Sequence, residues 1–465
     1  MPPFLLLLLS LLIGFDAFLA APASAEPLST SLRIPLHRRP PPLATATRLD
    51  YVRDLVKSDH LRQRMISGTI WQRRHRQQRR ACENATSAAD SFAMPLSSGA
   101  YTHTGQYFVR FRLGTPAQKF VLVADTGSDL TWVKCSFDRR KCRRCAGGRV
   151  FRPEKSVSFD PIRCSSAMCK TSLPFSLATC PSPSSPCAYD YGYSDGSAAR
   201  GIYAHESATV MLSNSHQKAK LKGLVIGCTS SFAGLSFRSS DGVLGLGHSG
   251  ISFASRATQL FGGKFSYCLV DHLSPKNISS YLTFGPNGAL IPSEARQTEL
   301  LMEPWLEPYY SVRVSCISVD GEVLKIPMSV WDVEKGGGAI LDSGTSLTVL
   351  AKPAYDAVVS ALSRRLAGVP RVGVEQFEYC YNWTAAIPAA VVPKLVVHFH
   401  GAAWLEPPAK SYVIDVADGV KCIGFTSAPW PGVSTIGNIL QQEHLWEFDI
   451  KNRRLRFQAS TCAPY

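Results

Sequence analysis

Two stretches of this chain, one in each half, share a pattern that strongly limits what it can fold into. At 120–128 an apolar run ends in Asp125, and at 338–345 a second apolar run ends in Asp342; each Asp is followed by a hydroxyl residue, Gly and another hydroxyl residue. Apolar runs rich in β-branched residues are typical of buried strands, and the Gly permits a tight turn. A carboxylate at the end of a buried strand is unfavourable unless partners satisfy it. One such Asp is compatible with a structural turn, whereas two indicate a pair that shares a proton.

A second repeat follows each Asp in the same order. Asp241 to Gly247 follows the first Asp, and Ser434 to Asn438 follows the second, and both stretches combine apolar residues with Gly. The interval is longer in the first half, which predicts additional loop there. The chain is therefore expected to contain two halves built from the same parts.

These motifs resemble those of pepsin-like aspartic proteases, and especially the atypical plant branch that includes nepenthesin. The resemblance rests on four stretches: Asp125–Trp132, Tyr193–Ser197, Asp342–Ser346 and Ile436–Gln442. It extends from about residue 99 to the end. It implies a mostly β, bilobal fold in which two lobes are related by a pseudo-twofold axis and enclose an active-site cleft.

The resemblance also assigns roles to individual residues. The catalytic pair is Asp125 and Asp342. Six residues support this dyad: Thr126, Gly127, Ser128, Ser343, Gly344 and Thr345. A flap over the substrate contains Tyr193, Gly196 and Ser197, and Trp132 braces the tyrosine. The simpler alternatives are turn capping for the hydroxyl residues and a core or surface position for the two aromatic residues.

Two neighbouring carboxyls can perform peptide hydrolysis by themselves. One accepts a proton from water and the other protonates the carbonyl oxygen. Because like charges at short distance do not both ionise easily, the pair titrates as a unit, with one pKa raised and one lowered. The sequence contains neither G-x-S-x-G nor H-E-x-x-H, the motifs of serine and zinc hydrolases. No cofactor and no metal are expected.

Charge and composition divide the chain into segments. Residues 1–25 combine a Leu-rich run with a small-residue cleavage pattern, which is typical of a secretory signal peptide. Residues 26–98 are expected to be a prosegment, with a helix over 49–64. The N-terminal lobe is placed at 99–290 and the C-terminal lobe at 291–465. No later run is long and apolar enough to span a membrane.

The prosegment carries much of the positive charge. The chain has a formal net charge of +15, and residues 26–98 contain 13 Lys and Arg against 6 Asp and Glu. The densest run is Arg73 to Arg80. It is compatible with an arm that pairs with the acidic cleft, with a solvated linker or with nucleic-acid binding.

The 14 cysteines indicate an oxidising compartment. Seven lie in a loop-rich insertion at 134–187, where Cys142 and Cys145 fit disulfides better than zinc. The resemblance accounts for twelve cysteines and favours the pairs Cys380–Cys422 and Cys268–Cys462. It leaves Cys82 and Cys316, and Cys316 is either a buried thiol or a reactive one. Three glycosylation sequons occur, at Asn84, Asn277 and Asn382.

The sequence thus predicts a secreted aspartic endopeptidase, made as a zymogen and active at acidic pH. Its partner is a polypeptide substrate in an extended conformation. We expect a monomer with no membrane span and no nucleic acid in the mature form. The apoplast is the favoured destination, with vacuole or plastid as alternatives. The rival function is a catalytically inactive pepsin-fold protein that binds and inhibits secreted glycosidases.

Overall fold

The computed structural model describes most of the chain between residues 32 and 462. The described ranges are 32–37, 47–82, 106–136, 149–173, 176–177, 180–192, 198–212, 218–233, 240–273, 280–285, 291–375, 377–384 and 386–462. Side chains are not described at 32–37, 51, 71–82, 191–192, 198, 233 and 280. Tyr193, Gly196, Ser197, Asn84 and Asn277 therefore lie outside the described residues, as do Cys142, Cys145 and residues 1–25.

The described residues are mostly in β-strands. In chain order these are β1 (Leu32–His37), β2 (Phe108–Leu113), β3 (Gln118–Asp125), β4 (Thr131–Lys134), β5 (Asp160–Pro161), β6 (Ala188–Gly192), β7 (Ala198–Met211), β8 (Lys218–Ala233), β9 (Gly242–Gly245), β10 (Lys264–Cys268), β11 (Ser280–Phe284), β12 (Arg296–Leu301), β13 (Tyr310–Val312), β14 (Val314–Val319), β15 (Glu322–Val323), β16 (Ala339–Asp342), β17 (Thr348–Ala351), β18 (Arg371–Val374), β19 (Phe377–Asn382), β20 (Leu395–Phe399), β21 (Trp404–Leu405), β22 (Val413–Ala417), β23 (Val420–Ile423), β24 (Phe425–Ala428), β25 (Ser434–Gly437), β26 (His444–Asp449) and β27 (Arg454–Ala459). The helices are α1 (Arg48–Cys82), α2 (Phe253–Leu260) and α3 (Lys352–Arg365).

The two halves repeat one arrangement of four strands. In the first half, β3 runs parallel to β9 with Asp125 opposite Gly245, and β4 pairs with both β9 and β8. In the second half, β16 runs parallel to β25 with Asp342 opposite Gly437, and β17 pairs with β25 and β24. The predicted duplication is therefore confirmed at the level of strand register, and the fold is the expected mostly β, bilobal one.

An antiparallel sheet joins the two halves. Its strand order is β1-β11-β10-β26-β27-β12, so the N-terminal strand β1 and strands from the first and the second half lie side by side. Two four-stranded sheets complete the second half: β15-β14-β20-β21 and β18-β19-β23-β22. Neither the joining sheet nor the smaller sheets could be read from local periodicity, because their pairings link distant residues.

Five disulfides hold the described part of the chain. They are Cys135–Cys228, Cys164–Cys180, Cys169–Cys187, Cys268–Cys462 and Cys380–Cys422. Cys316 is a free, half-buried thiol on β14, and burial raises its pKa. Within the described ranges, none of the helices has the length and apolar character that a bilayer crossing requires.

The helix predicted at 49–64 is present and is longer, since α1 extends to Cys82. Thr47 and Asp50 exchange hydrogen bonds at its start, with each backbone N–H donating to the other side chain, which satisfies donors that a helix end leaves unpaired. One face of α1 is buried at three- and four-residue steps, and its buried residues are Val52, Leu55, Val56, Asp59, Arg62, Gln63, Ile66 and Ile70. A helix that buries charged side chains among apolar ones needs matching partners, and these lie in the cleft.

Candidate active site

Two buried carboxylates lie at the ends of equivalent strands. Asp125 ends β3 and Asp342 ends β16, and both are fully buried. Asp125 Oδ1 accepts a hydrogen bond from the N–H of Gly127 at 2.9 Å, and Oδ2 accepts one from the Ser128 hydroxyl. The first strand therefore delivers its carboxylate into a turn that supplies two donors.

The second carboxylate has the same set of donors. Asp342 Oδ1 accepts a hydrogen bond from the N–H of Gly344 at 2.9 Å, and Oδ2 accepts one from the Thr345 hydroxyl at 2.6 Å. Equivalent atoms thus satisfy equivalent oxygens in the two halves. Hydrogen bonding of this kind favours the ionised form of a buried carboxyl.

The remaining hydroxyl of each motif crosses between the halves. The N–H of Thr126 donates to Ser343 Oγ at 3.0 Å, and the N–H of Ser343 donates to Thr126 Oγ1 at 2.9 Å. The Ser343 hydroxyl also donates to the carbonyl oxygen of Ala124 at 3.0 Å. These reciprocal bonds fix the two turns, and hence the two carboxylates, relative to each other.

A guanidinium from α1 lies directly on both carboxylates. Arg62 Nη2 donates to Asp125 Oδ1 at 2.7 Å and to Asp342 Oδ1 at 2.8 Å, while Nε donates to Asp342 Oδ2 at 2.5 Å. Arg62 is 2% exposed. A Cβ atom on Gly344 would lie 2.7 Å from Arg62 Nη2, so the guanidinium needs the open face that glycine leaves.

Burial and Arg62 act on both carboxyls, and the net pKa shift is upward for Asp125 and downward for Asp342. Burial raises the pKa of Asp125 above its ordinary value, and Asp342 raises it further, against the opposing charge of Arg62. Burial acts on Asp342 in the same sense, but the charge and hydrogen bonds of Arg62, with the Thr345 and Gly344 donors, bring its pKa below the ordinary value. The two carboxyls therefore differ in proton affinity, as a shared proton requires.

On both sides of Arg62, apolar residues of α1 pack on the second half. Val52, Leu55 and Val56 lie in an apolar cluster with Leu347, Phe377, Ile414, Val416, Ile439 and the Cys380–Cys422 disulfide. Ile66 and Ile70 lie in another, with Leu301, Leu306, Tyr309, Val333, Ile340 and Val433. The helix is thus anchored by apolar contacts on both sides of the charged centre.

Comparison with known proteins connects this geometry to a family. Residues 107–286 match a family model described as "Xylanase inhibitor N-terminal", and residues 309–459 match one described as "Xylanase inhibitor C-terminal". Aspartyl protease family protein 2 of Arabidopsis thaliana is 35% identical over 80% of this chain and 74% of its own length. Aspartic proteinase nepenthesin-2 of Nepenthes gracilis is 30% identical over 79% of this chain and 80% of its own length.

The chain belongs to the plant, nepenthesin-like branch of the pepsin-like aspartic proteases. Solved structures agree on the fold. The structure of EDGP covers 93% of this chain and aligns over 96% of its own with a TM-score of 0.63 and 17% identity. Basic 7S globulin from soybean covers 77% of this chain and 92% of its own, with a TM-score of 0.60 and 21% identity.

The structure brings together all eight residues that the sequence assigned to the aspartic protease dyad and its supports. Trp132 is buried in an apolar cluster of the first half that includes Leu130, Val243 and the ring of Tyr189. The flap residues Tyr193, Gly196 and Ser197 are outside the described residues. Asn382 is exposed at the end of β19.

Sequence reasoning missed Arg62. It assigned the candidate inhibitory charge to the basic run at 73–80, whose side chains are not described. The signal that points to Arg62 is its spacing, since it falls on the same helical face as Val52, Leu55 and Ile66. A charged residue in phase with an apolar stripe indicates a buried charge with a matching partner.

Proposed function

We propose that this chain is the precursor of a secreted aspartic endopeptidase that hydrolyses peptide bonds at acidic pH. One observation carries the proposal: two fully buried carboxylates accept hydrogen bonds from equivalent donors in two matching turns, and both bond to the Arg62 guanidinium. No ordinary structural role requires that two Asp side chains meet in this way. Several relatives of this chain are named aspartic proteinases, which supports peptide hydrolysis as its reaction.

In the active form, a water molecule takes the place between the two carboxyls that Arg62 Nη2 occupies here. The ionised carboxyl accepts a proton from this water as its oxygen attacks the peptide carbonyl carbon, and the protonated carboxyl donates its proton to the carbonyl oxygen. As the resulting diol collapses, one of its hydroxyl groups returns a proton to the ionised carboxyl, the C–N bond breaks and the nitrogen takes a proton from the other carboxyl. Asp125 and Asp342 act as a coupled unit, as is established for aspartic protease pairs.

Arg62 makes the precursor inactive in this proposal. Its guanidinium neutralises the pair and occupies the position between the two inner oxygens, so that neither water nor substrate can enter. A buried Arg with carboxylate partners is held firmly, because removing one partner of such a pair is strongly unfavourable. Release of α1 from the cleft is therefore the step that creates the active enzyme.

The proposed maturation removes two segments. Residues 1–25 act as a signal peptide and residues 26–98 as the prosegment that contains β1 and α1. The mature enzyme then consists of an N-terminal lobe at 99–290 and a C-terminal lobe at 291–465. The disulfides and the sequons at Asn84, Asn277 and Asn382 support a route through the secretory pathway, with the apoplast as the favoured destination.

The mature cleft is proposed to bind a polypeptide in an extended conformation. Tyr193, with Gly196 and Ser197, closes over it as a flap, and Trp132 supports the tyrosine from the core. The mature enzyme is proposed to act as a monomer and without nucleic acid. The basic charge that suggested a polyanion lies partly in the segment that is removed.

Hydrolysis of an unfolded protein by the acid-processed enzyme tests the reaction. We expect Asp125→Asn and Asp342→Asn each to reduce the cleavage rate by at least about a thousandfold, since the pair supplies both proton transfers. Asp418→Asn is the matched control, because the Asp418 side chain is fully exposed and should leave the rate unchanged. A statine-type transition-state inhibitor should block the wild-type enzyme.

The alternative is an inactive pepsin-fold protein that binds secreted glycosidases. The two matching families are described as the N-terminal and C-terminal parts of xylanase inhibitors, which supports this alternative. A correctly folded and processed protein that neither cleaves peptides nor binds the inhibitor would reject the protease. Inhibition of a xylanase that survives Asp342→Asn would then support the binding protein.

A further inference from the structure

Asp59 lies one helical turn before Arg62 and makes a second polar contact with the cleft. It is 1% exposed. Its Oδ1 accepts a hydrogen bond from the N–H of Ser346 at 2.9 Å, and its Oδ2 accepts one from the N–H of Leu347. These two donors belong to the turn between β16 and β17, immediately after the Asp342 motif. The helix therefore places a cation on the carboxylates and a carboxyl on neighbouring backbone donors.

Gln63 completes this polar face. Thr435 donates its hydroxyl proton to Gln63 Oε1, at 2.5 Å, and the Gln63 amide donates to the carbonyl oxygen of Val433. Each buried polar side chain of α1 thus has a partner of complementary character on the second half. Apolar contacts lie at both ends of this polar patch, which gives the helix a specific register along the cleft.

Backbone N–H groups in a cleft are the donors that an extended peptide uses through its own carbonyl oxygens. By occupying the N–H groups of Ser346 and Leu347, Asp59 removes them from a competing peptide strand. Arg62 blocks the reacting centre at the same time. The i,i+3 spacing puts both side chains on one face, so a single helix delivers both contacts.

We propose that Asp59 is the second half of a two-point plug, and that α1 inhibits the processed enzyme through Asp59 and Arg62 together rather than through Arg62 alone. The inference rests on the proposed function, because it assigns the regulation of the same site. A helix without Asp59 would bury two backbone donors that have no acceptor. Such donors weaken binding by roughly tenfold to a hundredfold.

The test compares precursors and peptides that carry the same substitutions. Full-length precursors with Asp59→Ala or Arg62→Gln are assayed on a quenched peptide before processing occurs, with the chain length followed by mass spectrometry. Peptides spanning residues 47–70 are then added to the processed wild-type enzyme. Lys57→Ala and Arg64→Gln are the matched controls, since both residues are exposed on α1. Alanine is a strong helix former, so Asp59→Ala does not weaken the helix itself.

We expect the wild-type peptide to inhibit competitively, raising KM and leaving kcat unchanged. Asp59→Ala should weaken inhibition by about tenfold or more, and its precursor should show activity before cleavage. Asp59→Asn, which keeps one acceptor oxygen, should lie between wild type and Asp59→Ala. The two control peptides should inhibit as the wild type does.

Equal inhibition by the wild-type and Asp59→Ala peptides would overturn the inference, as would a wild-type peptide that fails to inhibit at millimolar concentration. Either result leaves the proposed function intact, since the processed enzyme is active in the same assay. A processed enzyme without activity would count against the proposed function instead. Calorimetric binding of the peptides to that inactive protein would then decide whether Asp59 contributes to docking.

Discussion

At the scale of the residue, the central contact is one buried arginine that bonds to two buried aspartates. Arg62 contacts Asp125 and Asp342, although it lies far from both along the chain. The burial of three charged groups is tolerable because their hydrogen bonds and charges are matched. In the proposed precursor, the same contact excludes the water that the reaction needs.

Replacing Arg62 should release the enzyme from inhibition. In the full-length Arg62→Gln precursor, the dyad loses its cation, and we expect docking of α1 to weaken by about 3–5 kcal/mol. The measurement is the initial cleavage rate before any processing. Arg64→Gln should remain as latent as the wild type. A latent, uncleaved Arg62→Gln precursor would show that the other contacts of α1, including those of Asp59, suffice for inhibition.

The acidity of Asp59 gives docking a pH dependence. Burial raises the pKa of Asp59 from 3.8 to about 7, opposed by the Ser346 and Leu347 donors and by Arg62, while Asp342 adds to the rise. Between pH 3.8 and about 7, Asp59 is protonated when α1 is docked and ionised when α1 is in water. Docking therefore weakens as the pH rises through this window, by about 1.4 kcal/mol per unit, and is insensitive to Asp59 below it.

Asp342 acts in the opposite sense at lower pH. Because the pKa of Asp342 is lowered, this residue stabilises the folded precursor at pH values above the ordinary pKa of an Asp. The stabilisation is lost as the pH falls through the lowered pKa. Below the ordinary pKa of an Asp, the free energy of unfolding of the precursor is therefore expected to lose the contribution of Asp342. Denaturant unfolding of the precursor at pH 4, 5.5 and 7 tests the Asp59 part. The free energy of unfolding of the wild-type precursor should fall as the pH rises, and Asp59→Asn should make this fall smaller. An unchanged fall would count against a role of Asp59 in the pH dependence.

At the scale of the element, two glycines beside the dyad allow their strands to lie close to the turns that follow Asp125 and Asp342. Gly245 lies beside Asp125 on the neighbouring strand, and Gly437 lies beside Asp342. A Cβ atom on Gly437 would overlap the carbonyl oxygen of Leu347 and would lie 2.5 Å from its carbonyl carbon. Backbone cannot move aside as a side chain can.

Gly437→Ala should therefore destabilise the second half by about 1–3 kcal/mol or more. The measurement is the thermal unfolding midpoint of the full-length protein. Gly250→Ala is the matched control, because nothing lies within 4 Å of its added Cβ. Both substitutions reduce the conformational entropy of the unfolded chain by the same amount. Equal midpoints for the two variants would mean that β25 shifts to accommodate the methyl group.

The sequence allows three features to be predicted: the strands that end in Asp125 and Asp342, their pairing with the glycine stretches, and helix α3. Each depends on a local pattern: an apolar run before Asp, a Gly in a fixed order, or Pro353 at the start of a periodic segment. The contact of Arg62 with Asp342 could not be predicted in this way. It joins residues 280 positions apart, and only the docked helix reveals which charge reaches the cleft.

At the scale of the whole molecule, the proposed prosegment contacts the rest of the fold in two places. Strand β1 pairs with β11 and β2 at the edge of the sheet that joins the halves, and α1 fills the cleft. The repeated motifs predicted two similar halves and the family resemblance implied the bilobal fold, whereas this joining sheet depends on pairings between chain segments that no motif connects. The proposed removal of residues 26–98 would therefore free a sheet edge as well as the cleft.

Binding of a statine-type transition-state inhibitor is the measurement that tests the account most directly. Calorimetry is run at one acidic pH on the uncleaved precursor and on the processed enzyme. Since Arg62 occupies the position between Asp125 and Asp342, we predict no binding to the precursor and one inhibitor bound per processed molecule. Equal binding to both forms would contradict the plug, and no binding to the folded, processed protein would contradict the catalytic dyad itself.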